Sequence, residues 1–400
     1  MGVYIPRLRH ACAAVLIITA AGCSSLARQP FTASEQAIAQ IPGIPGARYW
    51  ADAAGEDIRN AIKMPSLFVA AKRIGSLNVL ALSGGSSNGA YGAGVLNGLS
   101  ARNQRPKYVL VTGVSAGALI APFAFLGPDY DEALTRAWTS GLAASLGEGG
   151  ILTLLFSQDS RRAALYDLVS SFVDEALLRR IAAEHRLGRR LLVVTTNLDA
   201  QRPVVWDLGT IAASGNPKAL ELIRNILTAS ASIPGAFAPT LIEVEANGTR
   251  FSELHVDGGA TLQVFTIPEA ILARGETAKR PLGLPIHFFV VINNRLKPEF
   301  EVVEGSTAAV LTRSLASLIK SHARATLVAT QEFARDHDID FNLTYIGDDF
   351  PPELTPSFET DYMRKVFHYG YEKAASGHSW QKQIPFINGP HLPAVAAAQR

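Results

Sequence analysis

The sequence predicts an α/β fold of three layers, a mostly parallel sheet held between two sets of helices. Short, nearly continuous apolar runs recur along the chain, as expected of strands buried on both faces. Helix-like stretches alternate with them. Two glycine-rich clusters each stand where an apolar run ends and a helix begins, the edge at which open α/β sheets hold their ligands.

In chain order, the first such run is Leu77–Leu82, and Tyr108–Thr112, Leu191–Thr196, Pro203–Trp206, Phe251–Val256 and Ile286–Ile292 repeat its character. Helical segments are expected over Ala90–Ser100, Ala116–Leu126, Asp131–Thr139, Arg161–His185 and Pro217–Ser230. Further on come a long helix at Ser306–Arg335, a strand at Ile339–Ile346 and a helix at Asp361–Ala375. Ahead of the first strand, the turn-rich Ile41–Gly46 precedes a helix at Glu56–Met64 that Pro65 stops. The apolar stretch Ile151–Phe156 reads first as buried core, with the lining of an acyl groove or a cap as the alternatives. The chain divides into a signal segment (1–22), a tether and lead-in (23–76), a catalytic core (77–270), a completion of the same domain (271–380) and a loose tail (381–400). There is no internal repeat, and no series of alternating segments of the kind that builds an outer-membrane barrel.

Composition narrows the function. A hydrophobic fraction of 48% with 18% charged residues supports a sizeable core in 400 residues. The balance of 37 basic against 35 acidic side chains argues against nucleic acid as a partner. Cys12 and Cys23 are the two cysteines, so no disulfide forms in a chain cleaved before Cys23, and no cysteine-based metal site is expected. The acidic spacing of a calcium loop is missing too.

The first 23 residues differ in kind from the rest. Arg7, Arg9 and His10 precede the apolar run Ala11–Ala21, which is short for a membrane span and ends in Gly22-Cys23. This pattern resembles the lipobox of bacterial lipoproteins, with Ala20 in place of the usual leucine. The resemblance implies lipidation of Cys23 and, with Ser24 following it, sorting to the outer membrane of a bacterial envelope.

The chemistry centres on Gly113-Val114-Ser115-Ala116-Gly117, a G-x-S-x-G pentapeptide between an apolar strand and a helix. A sharp strand-to-helix turn exposes the serine hydroxyl at the positive end of the helix, and the glycines on either side avoid backbone clashes. Alone, the pentapeptide does not separate a nucleophile from a packing turn of small residues. A second cluster, from Gly84, Gly85 and Ser86 to Gly89, also ends a strand and opens a helix, and successive backbone N–H groups there form an anion-binding concavity. The Walker and dinucleotide-binding patterns do not fit it. A third element, Asp257-Gly258-Gly259, sets a carboxylate on a tight turn at the end of a strand.

Together these elements resemble the patatin-like phospholipase family, over at least residues 78–270 and including Ala231–Phe237 ahead of the aspartate. The resemblance implies a lipid acyl hydrolase without cofactor or metal, working through an acyl-enzyme on a lipid or acyl-ester substrate. Ser115 is then the nucleophile, Asp257 the base of a Ser–Asp dyad, and the N–H groups of Gly84, Gly85 and Ser86 the oxyanion hole. Two residues depart from the family loop: Ser86 stands at a usual glycine and Asn88 at a usual basic residue. Ser86 can still donate provided its backbone needs no positive φ. The loss of the basic residue weakens the case for anionic head groups. Two other readings stay open. One is a Ser-Asp-His triad drawing on His287, His322, His337 or His368, with His255 as packing; the other is an inactive, lipid-anchored binding protein.

Overall fold

The computed structural model describes residues 28–146, 158–266, 283–300, 302–351 and 357–385. The expected signal segment (1–22), Cys23 and the apolar Ile151–Phe156 lie outside the described residues.

The centre is a nine-stranded mixed sheet. Five strands run parallel, in the order β4 (Arg190–Asn197), β3 (Leu110–Val114), β2 (Leu77–Leu82), β8 (Ile286–Ile292) and β9 (Asp340–Tyr345). Beyond β4 the sheet turns antiparallel through β5 (Arg202–Asp207) and β1 (Arg48–Trp50). A hairpin of β6 (Thr240–Ala246) and β7 (Thr249–Asp257) adds to β4 as well.

Alternation along the parallel strands makes the three layers. Leu191, Val193, Phe289 and Val291 face the large core. On that side pack α4 (Gly89–Ala101), α5 (Ala116–Leu126), α6 (Asp131–Thr139), α7 (Gln158–Phe172), α8 (Glu175–Arg186), α9 (Leu208–Ala213), α10 (Ala219–Ser230) and α12 (Thr360–Ala375). Leu192, Val194, Val290 and Ile292 face the other side, where α3 (Met64–Ile74) and α11 (Thr307–Asp336) lie. Both faces are dry, so the strands read as unbroken apolar runs.

The structure changes four details of the sequence reading. Pro65 starts a helix rather than stopping one: it occupies the first turn of α3, where its missing N–H costs nothing, and the preceding helix is α2 (Gly55–Ala61). The single helix expected over Arg161–His185 is two, because Asp174 caps α8 by accepting from Leu177 N at 2.8 Å. Strand β6 was hidden by its alternating pattern, and its Asn247-Gly248 turn, with φ of 51° and 78°, is the hairpin signal that marks it. Finally, the lead-in holds more regular structure than the one helix expected there. Helix α1 (Ala33–Ile38) is held by a Thr32 capping box, and β1 joins the sheet.

Candidate active site

Strand β4 acts as the ruler of the site. Its first half pairs with β3, ending at Val114 against Val194, and its last residues pair instead with β7, with Thr195 against Asp257. Asp257 therefore enters the slot just past the end of β3, where Ser115 follows. The Ser115 hydroxyl donates to Asp257 Oδ2 at 2.6 Å, and both residues are buried. Only glycine fits directly after the aspartate, since a Cβ on Gly258 would stand 2.4 Å from the Val194 carbonyl oxygen.

Ser115 caps α5 with φ 55° and ψ −125°, a positive φ that a serine adopts at a cost of about 1 kcal/mol or more. The turn is enforced by close contacts on both sides. A Cβ on Gly113 would meet the Gly117 carbonyl oxygen at 2.5 Å, and one on Gly117 would meet that of Leu82 at 2.4 Å. Ser230, at the end of α10, pins the strained residue: its hydroxyl accepts from Ser115 N at 3.1 Å and donates to the Val194 carbonyl at 2.6 Å.

The carboxylate is held from its other side as well. Gly259 N donates to Asp257 Oδ1 at 2.6 Å, and Asp257 N donates to the Ser232 carbonyl in the Ala231–Phe237 segment. Burial pushes the Asp257 carboxyl up to about 7, against the lowering effect of the Ser115 and Gly259 hydrogen bonds.

The glycine-rich loop lies alongside, with one correction to its expected role. Gly84 does not offer a free N–H, because that group donates to the Gln263 carbonyl at 3.0 Å. Among the described residues, the N–H groups of Gly85 and Ser86 have no hydrogen-bond partner. Ser86 takes a positive φ of 52°, the left-handed conformation that a glycine would adopt freely, so the serine costs strain there while its N–H stays available to donate. Gly89 opens α4 against the Trp138 ring. Asn88 is buried, accepting from the Tyr362 hydroxyl at 2.5 Å and donating to Asn294 at 3.2 Å, so it ties α12 and the β8 loop together.

Two residues missed in the sequence shape this loop. Asn293, fully buried after β8, binds the Ser83 hydroxyl and carbonyl and accepts from Gly92 N at 3.0 Å. Gln263 joins the loop to the aspartate turn, since its carbonyl takes the Gly84 N–H and its amide donates to the Gly259 carbonyl at 2.7 Å. The Asn-Asn pair closing an apolar strand was the one available signal for the first.

No described histidine hydrogen-bonds to Ser115 or Asp257. His287 pairs with Asn78 near the start of β8, at the opposite edge of the sheet, and binds Asp340. His322 is on α11, His337 caps its end, and His368 faces solvent on α12. His255 is buried between Thr195 Oγ1 at 2.9 Å and Glu253 Oε2 at 3.1 Å, within a network that includes Arg48. Burial holds its imidazole below the usual value, against the pull of Glu253.

Ser115 and Ser86 form the polar end of a cavity of about 750 Å3, its mouth included. Every other described lining residue is apolar, among them Leu119 and Phe123 of α5, Leu165, Val169 and Phe172 of α7, and Leu227 of α10. The structure thus sets a hydroxyl on a buried carboxylate of raised pKa at the end of a hydrocarbon-lined hole, next to a loop whose Gly85 and Ser86 N–H groups have no partner among the described residues.

Comparison with known proteins bears on the same stretch. Residues 80–270 match the family model described as Patatin-like phospholipase. No curated protein matches the chain. The crystal structure of VipD from Legionella pneumophila is similar at 14% identity and a TM-score of 0.36, over 76% of this chain and 67% of that one.

Proposed function

From a chain that carries a patatin-like phospholipase domain at residues 80–270, we propose a lipid acyl hydrolase with Ser115 as nucleophile and Asp257 as its base. The observation that carries the reading is the 2.6 Å Ser115–Asp257 hydrogen bond at the polar end of an otherwise apolar cavity. In the first half-reaction, Asp257 takes the Ser115 proton as Oγ bonds to the acyl carbon. The negative charge moves to the carbonyl oxygen, where Gly85 and Ser86 N–H groups donate to it. Collapse breaks the bond to the alcohol, which leaves with the proton held by Asp257. Water, losing its proton to Asp257, then frees the acyl chain and restores the serine. A carboxyl near neutrality suits both directions of that transfer.

The apolar lining favours a long hydrocarbon chain over a small acid. The test is a series of acyl esters of rising chain length, run on the native chain and on Leu165→Trp, whose ring would fill the cavity. Native kcat/KM should rise with chain length, and the variant should lose at least about tenfold on the long esters while hydrolysing acetyl esters normally. Equal losses at every length would mean that the cavity does not hold the acyl chain.

The same reading places the enzyme on a bacterial membrane through a lipidated Cys23, supported by the basic and apolar residues ahead of it. Cells fed labelled palmitate should incorporate label into the native protein and not into Cys23→Ser. Label retained by the variant would remove the anchor from the proposal.

A further inference from the structure

Most of the glycine-rich loop is packed against its neighbours. A Cβ on Gly84 would meet Gln263 Oε1 and Ser115 Cβ at 3.2 Å each, and one on Gly85 would stand 2.4 Å from the Asn293 carbonyl oxygen. Ser83, Ser87 and Asn88 are buried. Ser86 is different. It is half-buried, and it lines the apolar cavity together with Ser115.

The Ser86 side chain has no task within the fold. Ser83 Oγ donates to the Gly84 carbonyl at 2.7 Å, and Asn88 is held by Tyr362 and Asn294. The Ser86 hydroxyl hydrogen-bonds to no described residue, and its oxygen is not enclosed by protein. At φ 52° the serine also holds a backbone that glycine alone adopts freely, and no hydrogen bond of its side chain offsets that strain. A strained residue with an idle polar group beside a nucleophile points to a role in the reaction. Its N–H is unpartnered as well. Backbone N and Oγ of one serine are three bonds apart, so in a gauche rotamer both donors face a single acceptor.

We propose that the Ser86 hydroxyl is a third donor to the oxyanion, beside the N–H groups of Gly85 and Ser86. This makes Ser86 a catalytic residue through its side chain, and the inference rests on the acyl-hydrolase reading of Ser115. As Ser115 Oγ bonds to the acyl carbon, negative charge moves to the carbonyl oxygen. The Ser86 hydroxyl keeps its proton and donates to that oxygen. A donor aimed at charge that develops in the transition state lowers the barrier without tightening the binding of the substrate.

The test compares the native chain with Ser86→Ala, Ser86→Gly and Ser115→Ala. Each is assayed on an acyl ester and titrated with a trifluoromethyl ketone of the same chain length, whose adduct with the serine carries the same oxyanion. Both Ser86 variants should lose on the order of a hundredfold in kcat with little change in KM. Affinity for the ketone should fall by a similar factor. Their stabilities should part, with Ser86→Gly melting above Ser86→Ala because glycine relieves the positive φ. Equal losses of activity in a relaxed and a strained loop would tie the effect to the hydroxyl rather than to the loop's shape. A Ser86→Gly chain as active as the native one overturns the proposal. So does a loss of kcat with unchanged affinity for the ketone, which would assign the hydroxyl to the water that frees the acyl chain. Turnover by Ser115→Ala would remove the premise itself; with that variant inert, the Ser86 results decide alone.

Discussion

Ser115→Ala is expected to remove ester hydrolysis, with a loss of at least about a thousandfold in kcat, while leaving the fold in place. Losing the nucleophile of a serine hydrolase typically removes nearly all of the catalysis that its catalytic residues supply together. Labelling by a fluorophosphonate probe should vanish along with turnover. Stability should change little, for a reason specific to this site. The substitution deletes the hydrogen bond to Asp257 Oδ2, but that carboxyl is half protonated at about pH 7 and keeps its bond to Gly259 N. Ser115→Gly should be equally inactive and yet more stable than Ser115→Ala, because only glycine occupies φ 55° without penalty. A folded Ser115→Ala protein that still turns over acyl esters would put the chemistry elsewhere. Equal melting temperatures for the two variants would mean that the elbow stores no backbone strain.

Much of this site could be read in the sequence, because its key parts are local. A strained turn needs glycines at fixed offsets from its serine, and an aspartate needs glycines after it where the backbone of β4 comes close, so Gly113, Gly117 and Gly258 mark their own purpose. What could not be read is set by meetings across the chain. Nothing near Ser230, Asn293 or Gln263 announces that the first anchors Ser115 N, the second fills the space beside the glycine loop, or the third takes up the Gly84 N–H. Each is an ordinary polar residue until the sheet brings its partner to it. The same holds for the oxyanion donors. The sequence places Gly84, Gly85 and Ser86 in one loop, but only the fold shows that Gly84 has already donated to a carbonyl. The large elements were easier. Strands covered on both faces show as apolar runs, whereas β6, with one polar face, does not.

Asp257→Asn should separate the two demands placed on the carboxylate. As a base it must be ionised, so in the native chain kcat/KM should fall as pH drops through about 7, where the buried carboxyl takes up its proton. The amide cannot accept the serine proton, and the loss should be on the order of a hundredfold to ten-thousandfold, with that acid limb removed from whatever activity remains. Stability should move the other way. The carboxyl titrates near 3.8 in the unfolded chain and near 7 when folded. As pH rises between those values, the unfolded state releases a proton that the folded state retains, so stability is lost until the folded carboxyl also ionises. Above about pH 7 the whole penalty, a few kcal/mol at most, is present, and below about pH 4 it is absent. Asp257→Asn carries no charge to bury and should melt higher than the native protein at pH 8, with the gap closing toward pH 4. The native protein melting equally high at pH 8 would show that the carboxylate is solvated or paired in the fold. It would then be a weak base, and the proton would have to leave Ser115 by another route.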